Sequence, residues 1–134
     1  MSFYNWDMLP VTNERPSVTH RRIFGDTMQI QHLITEPGGT PTKMHTHPGE
    51  EEIFYIQAGE WEFNLDGDIR QLSPGDVVHV KADVPHMLQM MSTDEPGMAL
   101  EVFSSVHNPE LAKDRELFTV DAINARIKEA NPED

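Results

Sequence analysis

His45 and His47 stand two residues apart in the stretch His45-Thr46-His47-Pro48-Gly49-Glu50-Glu51-Glu52, and a carboxylate follows within five residues. Imidazole and carboxylate are donor types that hold transition-metal ions. Whether they share one ion depends on the backbone. In an extended segment side chains alternate between faces, so residues 45 and 47 project together, whereas on a helix they diverge by about 200°. Pro41 and Pro48 flank the pair, and Thr42 and Thr46 favour extended backbone, so a strand ending at a Pro48-Gly49 turn is predicted. After that turn the chain returns over residues 52–57 as a second strand, whose first residue, Glu52, can swing its carboxylate toward the same point.

The rest of the chain has to supply a frame for this cluster. Its 134 residues suffice for one domain with a real core. Ten Lys and Arg against 23 Asp and Glu give a formal net charge of −13, which argues against nucleic acid or an anionic membrane as partner. A small anionic substrate is not excluded, because a bound cation reverses the field inside a pocket. No apolar run approaches the ~18 residues of a membrane span, and residues 1–10 lack the basic start and apolar core of a signal peptide, so a cytoplasmic location is expected. The absence of cysteine excludes disulfides and thiolate ligands.

Short segments fit for strands run over 18–24, 28–34, 43–47, 52–57, 61–65, 69–72, 77–80, 86–91 and 98–104, separated by Gly, Pro and Asp clusters. That even spacing predicts an all-β antiparallel barrel or sandwich. Asp66-Gly67 marks a two-residue hairpin. Val120, Ile123 and Ile127 form one stripe of a terminal helix over about 120–130, with Asp121 at its start and Lys128 at its end. The expected division is an N-terminal arm (1–17), a barrel (18–107) and a C-terminal segment (108–134). Aromatic residues in the arm, Phe3, Tyr4 and Trp6, suit stapling to a neighbouring surface, which a second copy could provide, and a homodimer is expected.

Gly39, five residues, His45, one residue, His47, four residues, Glu52, six residues and Gly59 reproduce the first motif of the cupin superfamily, which this chain resembles. The second motif is similar from Gly75 to His86, although Lys81, Asp83 and Met90 replace the usual proline, glycine and asparagine. The resemblance covers roughly residues 28–104 and implies a double-stranded β-helix, or jelly roll, with a metal held by His45, His47, Glu52 and His86. The interval to Gly59 selects Glu52 over its neighbours. Glu51 is the fallback, and Glu50 and Glu51 are expected as solvated turn residues. Three imidazoles and a carboxylate suit Mn, Fe, Co, Ni, Cu or Zn, and four protein ligands leave positions open for water or substrate.

Beside that site, Lys43 shares parity with His45 and His47 and either reaches a substrate carboxylate or snorkels to solvent. Alternation sends Phe54 inward with Glu52 as a pocket residue. His32, in phase with Met28, Ile30 and Ile34, is expected inside the barrel with a catalytic role or as a core histidine, while His20, next to Arg21 and Arg22, is expected at the surface. Glu101 is the candidate acid/base group if its strand turns it inward. The stretch 101–107 resembles small cupins that linearise unsaturated uronates. That likeness assigns Phe103 and His107 to substrate binding, with Glu101 and His107 replacing the subgroup's aspartate and arginine. The combined expectation is a divalent-metal cupin doing isomerase, lyase or cyclase chemistry on a small oxygen-rich or carboxylate substrate. The alternatives are a dioxygenase and a non-catalytic binding barrel.

Overall fold

The computed structural model describes residues 2–104 and 116–130. Among them a 3-10 turn, η1 (Trp6–Met8), precedes nine strands and one helix: β1 (Thr12–Arg15), β2 (Val18–Phe24), β3 (Met28–Thr35), β4 (Glu52–Ala58), β5 (Trp61–Leu65), β6 (Asp68–Leu72), β7 (Val77–Val80), β8 (His86–Met90), β9 (Gly97–Ser104) and α1 (Val120–Ala130). All strand pairs are antiparallel. They form a six-stranded sheet, β1-β2-β3-β9-β4-β7, and a three-stranded sheet, β6-β5-β8. This is the jelly-roll barrel expected of the sequence.

The period of two decides what the barrel contains. Register across the large sheet aligns Phe24, Gln29, Phe103 and Glu52 in one row, and Arg22, Gln31, Glu101 and Phe54 in the next. Both rows are buried. Below them Leu33, Ala99 and Ile56 join Trp61, Phe63, Leu88 and Val80 in the apolar core. One end of the barrel is therefore apolar and closed by packing, while the other carries polar side chains on its inner wall.

The turns follow the predicted chemistry. Asp66 and Gly67 both take positive φ, 51° and 91°, which matches the right-handed twist of the flanking strands β5 and β6. Gly97 is required for a different reason. A Cβ there would overlap Met90 Cγ and lie 2.7 Å from Trp61 Cζ2. Gly97→Ala is expected to cost about 1–3 kcal/mol through overpacking, read as a lowered urea midpoint at unchanged m-value.

Two expectations change. Residues 43–47 form no strand; a single antiparallel bridge joins His45 to His86, with His45 N donating to His86 O at 3.0 Å and His86 N to His45 O at 2.9 Å. Prolines at 41 and 48 bound the segment, and its remaining contact with β8 is made by Thr42, whose N donates to Leu88 O at 3.2 Å and whose hydroxyl accepts from Leu88 N at 2.9 Å. The arm also packs on its own chain. Tyr4 Oη donates to Asn124 Oδ1 of α1 at 2.8 Å, and Leu9 is buried with Phe24, Phe118 and Ile123. Thr119 caps α1: its carbonyl accepts from Ile123 N and its hydroxyl from Ala122 N. No helix among the described residues is long and apolar enough to cross a membrane.

Candidate metal centre

Three elements bring the histidines together. The 42–47 segment lies along β8, so His45 faces His86 through the bridge, and His47 follows before the turn at Gly49, where φ is 70°. Donor nitrogens of His45, His47 and His86 lie within 4.8 Å of one another. Glu52, first residue of β4, brings Oε2 to 3.4 Å from His47 Nε2 and 3.2 Å from His86 Nε2. The three histidines thus form one cluster, and Glu52 lies against two of them, His47 and His86.

Several features prepare this point for a cation. His45 Nδ1 lies 2.6 Å from the Lys43 carbonyl and His86 Nδ1 2.9 Å from that of Val84. A carbonyl fixes the proton on Nδ1 and leaves the Nε2 lone pair directed into the cluster. Burial lowers the pKa of all three imidazoles, that of His47 to about 4, with the neighbouring histidines adding to the shift at His45 and His47. At neutral pH they are in the neutral form that ligates metals. Burial, and then the charge of Glu50, raises the Glu52 carboxyl well above its usual range. Both Glu52 oxygens and His86 Nε2 are buried and make no hydrogen bond among the described residues. Such groups are costly unless something electropositive meets them. The donor set therefore fits a divalent transition ion.

Aromatic rings hold the ligands in place. Phe103 meets His47 edge-on at 5.2 Å, and Phe63 lies parallel to His86 at 6.1 Å. Above the cluster opens a cavity of about 310 Å³ lined by His45, His47 and Glu52 on one side and by β2, β3 and β9 side chains on the other.

The sequence expectations fare unevenly here. Glu101 faces inward, 6% exposed, and accepts a 2.6 Å hydrogen bond from Gln31 Nε2. Phe54 and Phe103 line the cavity, and Lys43 lines its rim while remaining exposed. His107 lies outside the described residues. His32 is corrected: it faces out of the barrel, where Trp6 stacks on it at 5.1 Å. The inward phase of β3 belongs to Gln29, Gln31, Leu33 and Thr35. Glu50 is corrected as well. It is 1% exposed and accepts from Gln29 Nε2 at 3.0 Å, whereas Glu51 is exposed and pairs with His79 at 2.5 Å.

His20, expected at the surface, instead belongs to a buried wall across the cavity from the cluster. His20 and Arg22 are each 3% exposed and line the cavity with Gln29, Gln31 and Arg15. Their signal was available in β2, where Val18, His20, Arg22 and Phe24 share one face bounded by two apolar residues.

Burial, then Arg22 and Arg15, lowers the His20 pKa from 6.5 to about 3. Between those values the unfolded chain takes up a proton that the folded chain refuses, so stability falls as pH falls through 6.5. His20 should account for about 2 kcal/mol of the stability lost between pH 7 and pH 5. Urea titrations of wild type and His20→Gln at the two pH values check this; parallel losses in both proteins refute it.

Comparison with known proteins adds the family. The sequence matches the Cupin domain over residues 31–103, more than half of the chain. The chain is a cupin. It is 40% identical over 78 residues to a protein of Ruegeria pomeroyi named dimethylsulfoniopropionate lyase DddQ, a match covering 58% of this cupin but 37% of that lyase. This cupin thus spans little more than a third of that relative's length. Among solved structures, KdgF from Halomonas sp. superposes with a TM-score of 0.72 at 20% identity, covering 83% of this chain and 99% of KdgF. An RmlC-like cupin from Shewanella frigidimarina gives 0.71 at 19%, covering 82% and 96%. At such identities these neighbours establish the shared barrel alone.

Proposed function

We propose that this cupin is a divalent-metal-dependent enzyme performing non-redox isomerase, lyase or cyclase chemistry on a small oxygen-rich or carboxylate substrate. The observation that carries the reading is the cluster of His45, His47 and His86 with Glu52 against the last two, of which His45, His47 and Glu52 line a cavity that also contains a second inward carboxylate, Glu101. A closed structural site has no need of that opening. An ion bound by these four residues supplies Lewis-acid polarisation of a substrate oxygen.

The chain's own groups divide the remaining tasks. Glu101 is the proton-transfer group, held in position by Gln31 and near enough that its charge offsets part of the burial that lowers the His86 pKa. Phe54 and Phe103 exclude water on one side of the cavity, and Lys43 meets substrate at the rim. Kinship with an enzyme named as a lyase supports the reaction class.

The test combines metal analysis of untagged protein with turnover. Protein reconstituted with Zn, Mn, Fe, Co, Ni or Cu is incubated with unsaturated uronates and dimethylsulfoniopropionate, products are followed by NMR, and dissolved oxygen is recorded. Product formation without oxygen uptake is the expected result. Oxygen consumed in step with product would replace this reading by a dioxygenase.

A further inference from the structure

The turn that leads into His86 holds more than its own strand. Val84 N donates to the Lys81 carbonyl at 3.3 Å, and of the residues in that turn Asp83 alone has a positive φ, 66°. A positive φ at the third position is the mark of a type II turn, which favours glycine or asparagine there. The second cupin motif has glycine at this place, yet this chain carries a side chain. A turn of the same kind follows His47. Glu50 N donates to the His47 carbonyl at 3.1 Å, with Pro48 in the second position and Gly49, at φ 70°, in the third.

The two turns grip each other through Asp83. Its backbone N donates to the His47 carbonyl at 3.3 Å, and its Oδ1 accepts from Gly49 N at 3.3 Å. The His47 carbonyl thus receives two donors, and the residue two positions later is held by the same aspartate. Next to Asp83, the Val84 carbonyl fixes Nδ1 of His86 at 2.9 Å. One short turn therefore reaches two of the three clustered histidines by different routes. His47 has the greater need of it. His45 and His86 each have a carbonyl against Nδ1, whereas among the described residues no carbonyl bonds the His47 ring, and its side chain is 22% exposed. That imidazole is placed by its own backbone and by the edge contact with Phe103.

We infer that Asp83 is a positioning residue for the metal centre: its backbone N and its carboxylate lock the Pro48-Gly49 turn and so fix where His47 presents its donor nitrogen. The inference rests on the metal reading above and adds a group outside the donor set that governs its geometry. A side chain at positive φ carries a steric cost, which aspartate reduces through local hydrogen bonds. Glycine at 83 would adopt the same φ without that cost. What glycine cannot supply is the acceptor for Gly49 N. The carboxylate bond is exposed and adds little to overall stability. Its effect falls instead on the orientation of a ligand, and groups that orient metal ligands contribute about 10–100-fold to affinity.

Two replacements separate the carboxylate from the turn. Asp83→Gly keeps the positive φ and removes the acceptor, whereas Asp83→Asn keeps both the φ and an Oδ1 acceptor and removes the charge. In the metal-free proteins the Gly49 amide proton resonance should move upfield in Asp83→Gly and stay near its wild-type position in Asp83→Asn. Zinc is then titrated by calorimetry. Affinity is expected to fall about tenfold in Asp83→Gly, the low end of the range for orienting groups, and to stay within about twofold of wild type in Asp83→Asn. The urea midpoint of metal-free Asp83→Gly should match wild type, since glycine suits the turn; a midpoint that falls together with affinity makes Asp83 a merely structural residue and overturns its positioning role. Absence of zinc binding by wild type overturns the metal reading and this inference with it. Wild-type affinity in Asp83→Gly overturns the inference alone. Equal loss in both variants does the same, because the carboxylate then acts on the ion through its charge and not through Gly49.

Discussion

His86→Ala is expected to purify without stoichiometric metal and to bind zinc at least 100-fold more weakly than wild type, measured by elemental analysis and competitive chelator titration. His86 is fully buried, its Nδ1 side is fixed by the Val84 carbonyl, and its Nε2 lies 3.2 Å from Glu52 Oε2. Even residues that only orient a metal ligand typically contribute 10–100-fold to affinity, and deletion of a buried, oriented ligand exceeds that range. Removing the imidazole also leaves a cavity beside Phe54 and Phe63, so circular dichroism and a urea titration must accompany the measurement. Glu52→Gln gives the companion result. It keeps the shape and removes the charge, so zinc should weaken while the metal-free fold becomes more stable, because a carboxyl whose pKa burial has raised resists ionisation. Full zinc occupancy in His86→Ala would sink the ligand assignment.

What the sequence disclosed and what it hid divide along physical lines. The grouping of His45, His47, Glu52 and His86 was legible because the Gly39-to-Gly59 spacing and the Pro85-His86 step resemble the cupin motifs, and because Pro48-Gly49 forces the reversal that brings Glu52 back. The strands were legible through their Gly, Pro and Asp punctuation. Strand phase was not, where polar residues occupied the interior. In β3 the outward face carries Met28, Ile30 and Ile34 and the inward face Gln29 and Gln31, so hydrophobicity pointed the wrong way and carried His32 with it. On the outward face of β3 Trp6 from the arm stacks on His32, a long-range contact absent from any local pattern. His20 and Arg22 were obscured because the cavity-lining wall of this barrel is polar, and polarity ordinarily marks solvent. Glu50 looked like a solvated turn acid equivalent to Glu51, but it is buried and accepts a hydrogen bond from Gln29, while Glu51 stays outside.

Glu101→Gln should lower turnover by about 10²–10⁴-fold, the usual contribution of a positioned acid or base, while metal content stays at the wild-type level. The argument is geometric. Glu101 shares its cross-strand row with Arg22, Gln31 and Phe54, one row from Glu52, so it faces the cavity without belonging to the donor cluster. The 2.6 Å bond from Gln31 Nε2 fixes the carboxylate, and the amide replacement preserves its volume but cannot accept and return a proton. A group that merely bound substrate would raise KM when altered; a proton-transfer group lowers kcat and removes one limb of the pH–rate profile. Gln31→Ala discriminates further. Without its anchor the Glu101 carboxylate remains titratable but loses position, so turnover should fall less than in Glu101→Gln, with the pH limb retained and shifted. Wild-type kcat in Glu101→Gln at full metal loading would remove Glu101 from the chemistry and leave proton transfer to another group of the cavity wall.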